Sequence, residues 1–146
     1  MTDRDEVMEA FRSFLEAAYP WKMAPSRRLK LWSDVPMASR PACFLYEGGA
    51  ETYSWEISPA RKCVLDIKAF IYLNAKDPNI VGASLINGVL DALDEAFVPI
   101  GSDVSLGRKT LDGLAYNCRI DGKVVKDPGD LDGDALLILP VKIILP

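Results

Sequence analysis

The sequence contains no histidine. Without an imidazole there is no Ser-His-Asp or Cys-His arrangement and no His-ligated zinc site, which closes the commonest routes to nucleophilic and metal catalysis near neutral pH. Cysteine is scarce as well: Cys43, Cys63 and Cys118 are widely separated, and each sits in an apolar, strand-like run. An odd number of such thiols fits buried reduced cysteines better than a disulfide framework or a metal cluster. No apolar run approaches the ~20 residues that a membrane-spanning helix requires. Positive charge is in deficit, with 17 Lys and Arg against 21 Asp and Glu and a net charge of −4. That balance is unfavourable for general nucleic-acid binding, whose strength grows with the number of phosphates neutralised. The opening Met1-Thr2-Asp3-Arg4-Asp5-Glu6 is too acidic for a secretory signal, so the expected setting is the cytoplasm.

Phosphate and metal loops are missing too. Leu106-Gly107-Arg108-Lys109-Thr110 has a Lys-Thr pair but no second glycine at the required spacing and no strand before it. Asp130, Asp132 and Asp134 alternate as in a calcium loop, yet Ala135 stands where that loop needs glycine and Val141 where it needs a bidentate glutamate. A solvated turn is the expectation there. No pair of carboxylates is specified, and no catalytic, cofactor-binding or metal-binding residue is assigned.

What the chain does have is 146 residues of ordinary globular composition, 49% hydrophobic and 26% charged, which suits a single domain over 1–146. Its organising stretch is 61–97. Positions 63–73 alternate, with Cys63, Leu65, Ile67, Ala69, Ile71 and Leu73 on one face, and predict a strand. Asp77-Pro78 then reads as a helix start, and Ile86, Leu90, Leu93 and Phe97 form a stripe at helical spacing, flanked by Leu85, Val89 and Ala96, until Val98-Pro99.

An earlier helix carries Val7, Phe11, Phe14, Leu15 and Ala18 on one side, with Thr2 or Asp3 as its cap. Between the two helices, Arg28-Leu29-Lys30-Leu31-Trp32 and Ala42-Cys43-Phe44-Leu45-Tyr46 predict short strands, while 50–59 is either a strand extension or a projecting loop. Positions 116–125 predict one strand with a bulge at Gly122 rather than a hairpin at Asp121-Gly122. The last strand, 135–145, is apolar on both faces apart from Lys142, which predicts cover on both sides, and Pro140 should fall at a bulge or an edge. The expected fold class is α+β, a mixed or mostly antiparallel sheet with two helices packed on one face, in the order α-β-β-(β)-β-α-β-β.

Two stretches concentrate charge. Lys22, Arg27, Arg28, Lys30 and Arg40 are opposed only by Asp34, while 121–134 is acidic. Such runs are ordinarily solvated faces; the functional reading makes them complementary surfaces of neighbouring subunits. Arg27, Arg28, Lys30 and Arg40 would then face Asp127, Asp130, Asp132 and Asp134, with Trp32, Val35 and Trp55 as apolar anchors.

The succession Arg28-Leu29-Lys30-Leu31-Trp32-Ser33-Asp34-Val35-Pro36, Pro41-Ala42-Cys43-Phe44, 66–73 and Asp77-Pro78-Asn79 resembles the tail terminator (tail completion) proteins of long-tailed bacteriophages and prophages. The likeness continues through Thr110-Leu111-Asp112-Gly113-Leu114, Cys118-Arg119-Ile120-Asp121-Gly122 and Gly133-Asp134-Ala135-Leu136-Leu137-Ile138-Leu139-Pro140-Val141, so it spans nearly the whole chain. It implies a small α+β virion subunit, assembled in the bacterial host cytoplasm and housed in the tail or neck. Such subunits commonly form a six-membered ring on the head-proximal end of the tail tube, stop tube growth and offer a docking face to the head connector. The genome's path would run through the ring. No enzyme activity, cofactor, membrane contact or sequence-specific nucleic-acid binding comes with the resemblance. The alternatives are a head-tail connector or minor neck protein, and a small ligand-binding domain or enzyme, which would present a concave apolar pocket.

Overall fold

The computed structural model describes residues 3–55 and 61–146. Helix α1, Arg4–Ala18, starts where the Asp3 side chain accepts from the amides of Asp5 and Glu6, two of the donors that a helix start leaves unpaired. Two turns of 3-10 helix, Trp32–Asp34 and Met37–Ser39, lead into β1, Ala42–Tyr46, and β2, Glu51–Trp55. The long strand β3, Arg61–Asn74, is followed by α2, Gly82–Ala96, the short α3, Asp103–Leu106, and then β4, Asn117–Ile120, β5, Val125–Asp127, and β6, Asp134–Ile144. These six strands pair antiparallel in one sheet. The domain is α+β, as the order of periods predicts.

The sheet is built on the β3–β6 pair, in register from Val64↔Ile144 to Asn74↔Asp134. β1 and β2 lie end to end along the free edge of β3, and β4 and β5 along the free edge of β6. Each edge steps off the ladder once. Residues 47–50 oppose only 66–67, and residues 121–124 oppose only 139–140. The second step falls at Pro140, which has no amide to donate. Gly122 there has φ 128°, and a side chain on it would meet the proline ring at 3.3 Å. The 116–125 stretch is therefore an edge strand bulged at Gly122, and neither of its arms pairs with the other.

One face of the sheet, with Leu65, Ile67, Ala69 and Ile71 beside Leu137, Leu139, Val141 and Ile143, is sealed by Phe11 and Leu15 of α1 and by Ile86, Val89 and Leu93 of α2. On the other face Ala42, Phe44 and Tyr72 lie under Val35 and Met23, whereas Ile138, Pro140 and Lys142 are only half-buried. The cover expected on both faces of β6 is complete on one.

Two expectations are corrected. The 28–32 stretch is not a strand. Only Ser26 bridges β1, opposite Phe44, and the backbone beyond it is held by side chains: the Tyr72 hydroxyl donates to the Lys30 carbonyl at 2.6 Å, and Arg40 donates to those of Trp32 and Val35. Nor does α2 begin at Asp77-Pro78. Asp77 instead closes a turn by accepting from the Asn79 amide, and the helix starts at Gly82, where any Cβ would come within 1.7 Å of the Pro128 carbonyl oxygen.

The seam of α2 is also rotated from the spacing of the sequence. Val89 and Leu93 are fully buried, whereas Leu90 and Phe97 are half-buried. Leu93→Ala should cost about 2–5 kcal/mol by lost transfer energy plus a cavity, and Leu90→Ala distinctly less. Equal losses in denaturant unfolding would put the seam at Leu90.

Candidate assembly interface

Arg40 decides how the charged stretches are arranged. It is 5% exposed, and its Nη1 donates to Asp134 Oδ1 at 2.7 Å. The same guanidinium donates to the carbonyls of Leu73, Trp32 and Val35, and its Nε is buried without an acceptor. Val35 is buried as well. Arg40 and Val35 are thus interior groups and Asp134 is half-buried against Arg40, a correction to the expected place of all three on an outer face. Arg27 is committed too, through Glu47 at 2.8 Å and Asp5 at 2.9 Å. Arg28, Lys30 and Trp32 remain exposed.

The acidic turn folds back on itself. Asp127 accepts from the Gly129 amide and Asp132 from the Asp134 amide, while the Asp132 carbonyl takes the Lys76 ammonium at 2.7 Å. The Asp127 and Asp132 carboxylates thus face backbone while that of Asp134 faces Arg40, and among the described residues no group of His, Cys, Asp and Glu is placed to hold a metal ion. At the tip Asp130 is exposed, and Leu131 is fully exposed. Because Arg40 ties Asp134 to the Trp32 carbonyl, the basic and acidic stretches abut. A depression of about 170 Å³ between them is lined by Trp32, Tyr72, Asp127 and Asp132. They form one patch, where the sequence reading expects two separate ones.

Trp55 occupies another place. β2 pairs with 61–65 of β3, whereas β6 reaches only to Val64, so the strand ends overhang the sheet with Trp55 66% exposed. Arg4 braces the base of the overhang through Glu51 at 2.9 Å and the Tyr53 hydroxyl at 2.7 Å. The remainder of the 50–59 stretch, residues 56–59, lies outside the described residues.

A further site is one that sequence reasoning missed. Between the middle of α1 and the loop after α3 lies a depression of about 370 Å³, whose lining combines apolar side chains, among them Phe14, Leu111 and Leu114, with Lys109, Asp103 and Asp112. Lys109 is 8% exposed, and its ammonium lies 5.0 Å from the Phe14 ring centroid. Its positive charge acts on the Asp103 carboxyl, which lines the same depression. Asp103 is turned onto Thr110, accepting from its hydroxyl at 2.6 Å and its amide at 2.9 Å. The hydroxyl bond, more than the amide, holds this carboxyl below the usual carboxylate range. The Lys109 amide donates to Asn117 Oδ1, and Asn117 pairs with Ile144, so the loop is fastened to the far end of β6. Leu111 and Asp112 there have φ of 52° and 58°, which L-residues adopt at a cost. The sequence cue was available: a lysine inside a non-periodic stretch rich in leucine.

The cysteines are free and buried. Desolvation pushes the Cys43 thiol up to about 12 and raises that of Cys118 as well, which keeps both protonated and unreactive. No protein-family model matches this sequence, and no match is found among curated proteins.

Proposed function

We propose that this chain is a structural subunit of a long-tailed phage or prophage virion, of the tail-terminator kind, which closes into a ring at the head-proximal end of the tail tube. Its partners are further copies of itself, the tail tube protein and the head connector. The observation that carries this reading is where the large apolar side chains are left in solvent. Val81 and Leu131 are exposed at the end of the sheet where β6 begins, and Trp55 at the end where β6 finishes. Scattered single exposures are normal, but apolar groups gathered on two different ends are what successive copies in a ring would cover. The succession of segments that resembles tail terminators supports the same reading.

Native mass spectrometry of the purified protein tests it. A closed oligomer, six-membered in the commonest case, is the expected species, and adding it to polymerising tail tube protein should shorten the tubes. A monomer at every concentration, with no effect on tube length, would overturn the reading.

A further inference from the structure

The basic stretch adjoins the acidic turn without being neutralised by it. Arg28 and Lys30 are exposed and enter no ion pair among the described residues. Asp127 and Asp132 of the turn face backbone amides, Asp134 faces Arg40, and Asp34 likewise enters no ion pair among the described residues. Between and beyond the two cations Leu29, Leu31 and Trp32 also lie in solvent. The strip is fastened to the sheet through the carbonyls of Lys30 and Trp32, which leaves its side chains to meet something else.

The end of α2 and the segment after it present the opposite chemistry. Val98, Ile100, Val104 and Leu106, four large apolar side chains within nine residues, are all exposed, a concentration that single scattered exposures do not reach. Just before them Asp91, Asp94 and Glu95 are exposed and enter no ion pair among the described residues. Asp94 and Glu95 stand in the last turn of α2, which has no basic residue, and carboxylates there oppose the negative end of the helix dipole. A cation brought to this ridge relieves that repulsion. The subunit's own cations on this side are committed: Lys109 is buried, Arg108 stacks on the Tyr116 ring at 4.0 Å, and Lys126 reaches Asn87, a turn before Asp91.

Placement agrees with chemistry. Trp32 borders a depression with Asp134 and Ala135, where β6 begins, and Leu106 borders one with Tyr116 and Pro146, just past its end. Along an extended strand of that length the two lie ~33 Å apart. They are also on opposite faces, the strip over Tyr72 and α2 on the sealed face of the sheet. Two different patches that cannot meet within one subunit join head to tail, which is the contact that a ring repeats.

Resting on the ring reading, we propose that the 28–32 strip of one copy docks on the ridge formed by the end of α2 and residues 98–106 of the next. Leu31 and Trp32 cover the apolar ridge, and Arg28 and Lys30 pair with Asp94 and Glu95.

Charge reversal at exposed positions tests each side without disturbing the core: Arg28→Glu with Lys30→Glu on the strip, and Asp94→Lys with Glu95→Lys on the ridge. Association is read by sedimentation and native mass at low salt, where such pairs count most, and folding by Tm. Each double variant should weaken assembly by roughly tenfold or more with Tm of the subunit unchanged. Mixing the two should restore assembly, because each then meets the opposite charge on the other. Leu31→Ser should weaken assembly at high salt as well. Unaltered assembly of either charge variant overturns this contact and leaves the ring reading standing; if the strip variant fails to assemble and the mixture does not recover, the strip meets another surface and the stated occupant is overturned. A wild type that forms open chains or dimers, dissolved by the substitutions and recovered by mixing, supports the contact and overturns the ring. A wild type monomeric at every concentration overturns both.

Discussion

Asp134→Ala is expected to lower the unfolding free energy by about 3–5 kcal/mol, the usual result of removing one member of a buried ion pair and stranding the other. The Arg40 side chain is 3% exposed and that of Asp134 18%, so little water can replace the lost carboxylate. Nor can the guanidinium swing out. Its remaining donors hold the carbonyls of Trp32, Val35 and Leu73, and releasing them would unpin the stretch that covers Phe44 and Tyr72. Asp134→Asn keeps an acceptor and should cost less. Combining Arg40→Met with Asp134→Ala should recover part of the loss, since no charge remains stranded, but not all, because three carbonyls lose a donor. Guanidinium unfolding of the variants gives the order. A loss below about 1 kcal/mol for Asp134→Ala, the size seen for exposed pairs, would mean that water reaches Arg40 after all.

That ion pair shows where the sequence stops being legible. Its partners are 94 positions apart, and each sits in a run of its own sign that reads as a solvated face. Local patterns, by contrast, hold up well. The alternation of 63–73 is the central strand; the glycine at 122 and the proline at 140, read separately, meet at one bulge. Where reading and structure part, a tertiary contact outweighs a sound local signal. Arg28-Leu29-Lys30-Leu31-Trp32 alternates as a strand should, yet side chains of Tyr72 and Arg40 satisfy its carbonyls in place of a ladder. Asp77-Pro78 has the marks of a helix start, but the backbone approaches Pro128 so closely that α2 opens only at a glycine. At the candidate interface the acidic turn is legible from its Asp and Gly content. The exposure of Leu131 is not, since leucine in a short turn reads equally as a buried anchor, and the depression beside Lys109 draws on α1 and the 109–114 loop, about a hundred residues apart in sequence.

Phe11→Ala is the other substitution expected to cost about 3–5 kcal/mol, the range for removing a buried aromatic side chain from a packed core. Phe11 has no exposed surface. Its ring centroid lies 6.1 Å from that of Phe14 and 6.4 Å from that of Phe97, and those two meet edge to face at 5.0 Å. The three rings join α1 to the end of α2, so the lost side chain leaves a void with a second helix on its far wall. Phe14 and Phe97 are held against each other and cannot both turn in to fill it. Phe11→Leu, which keeps most of the volume, should cost less than about 1.5 kcal/mol. Both are read from denaturant midpoints at an unchanged m-value, which confirms that the unfolded state is the same. If Phe11→Ala and Phe11→Leu come out alike, the helices have closed over the space, and α1 is attached through the Leu15 and Trp21 end instead, where the indole nitrogen donates to the Leu15 carbonyl at 2.7 Å.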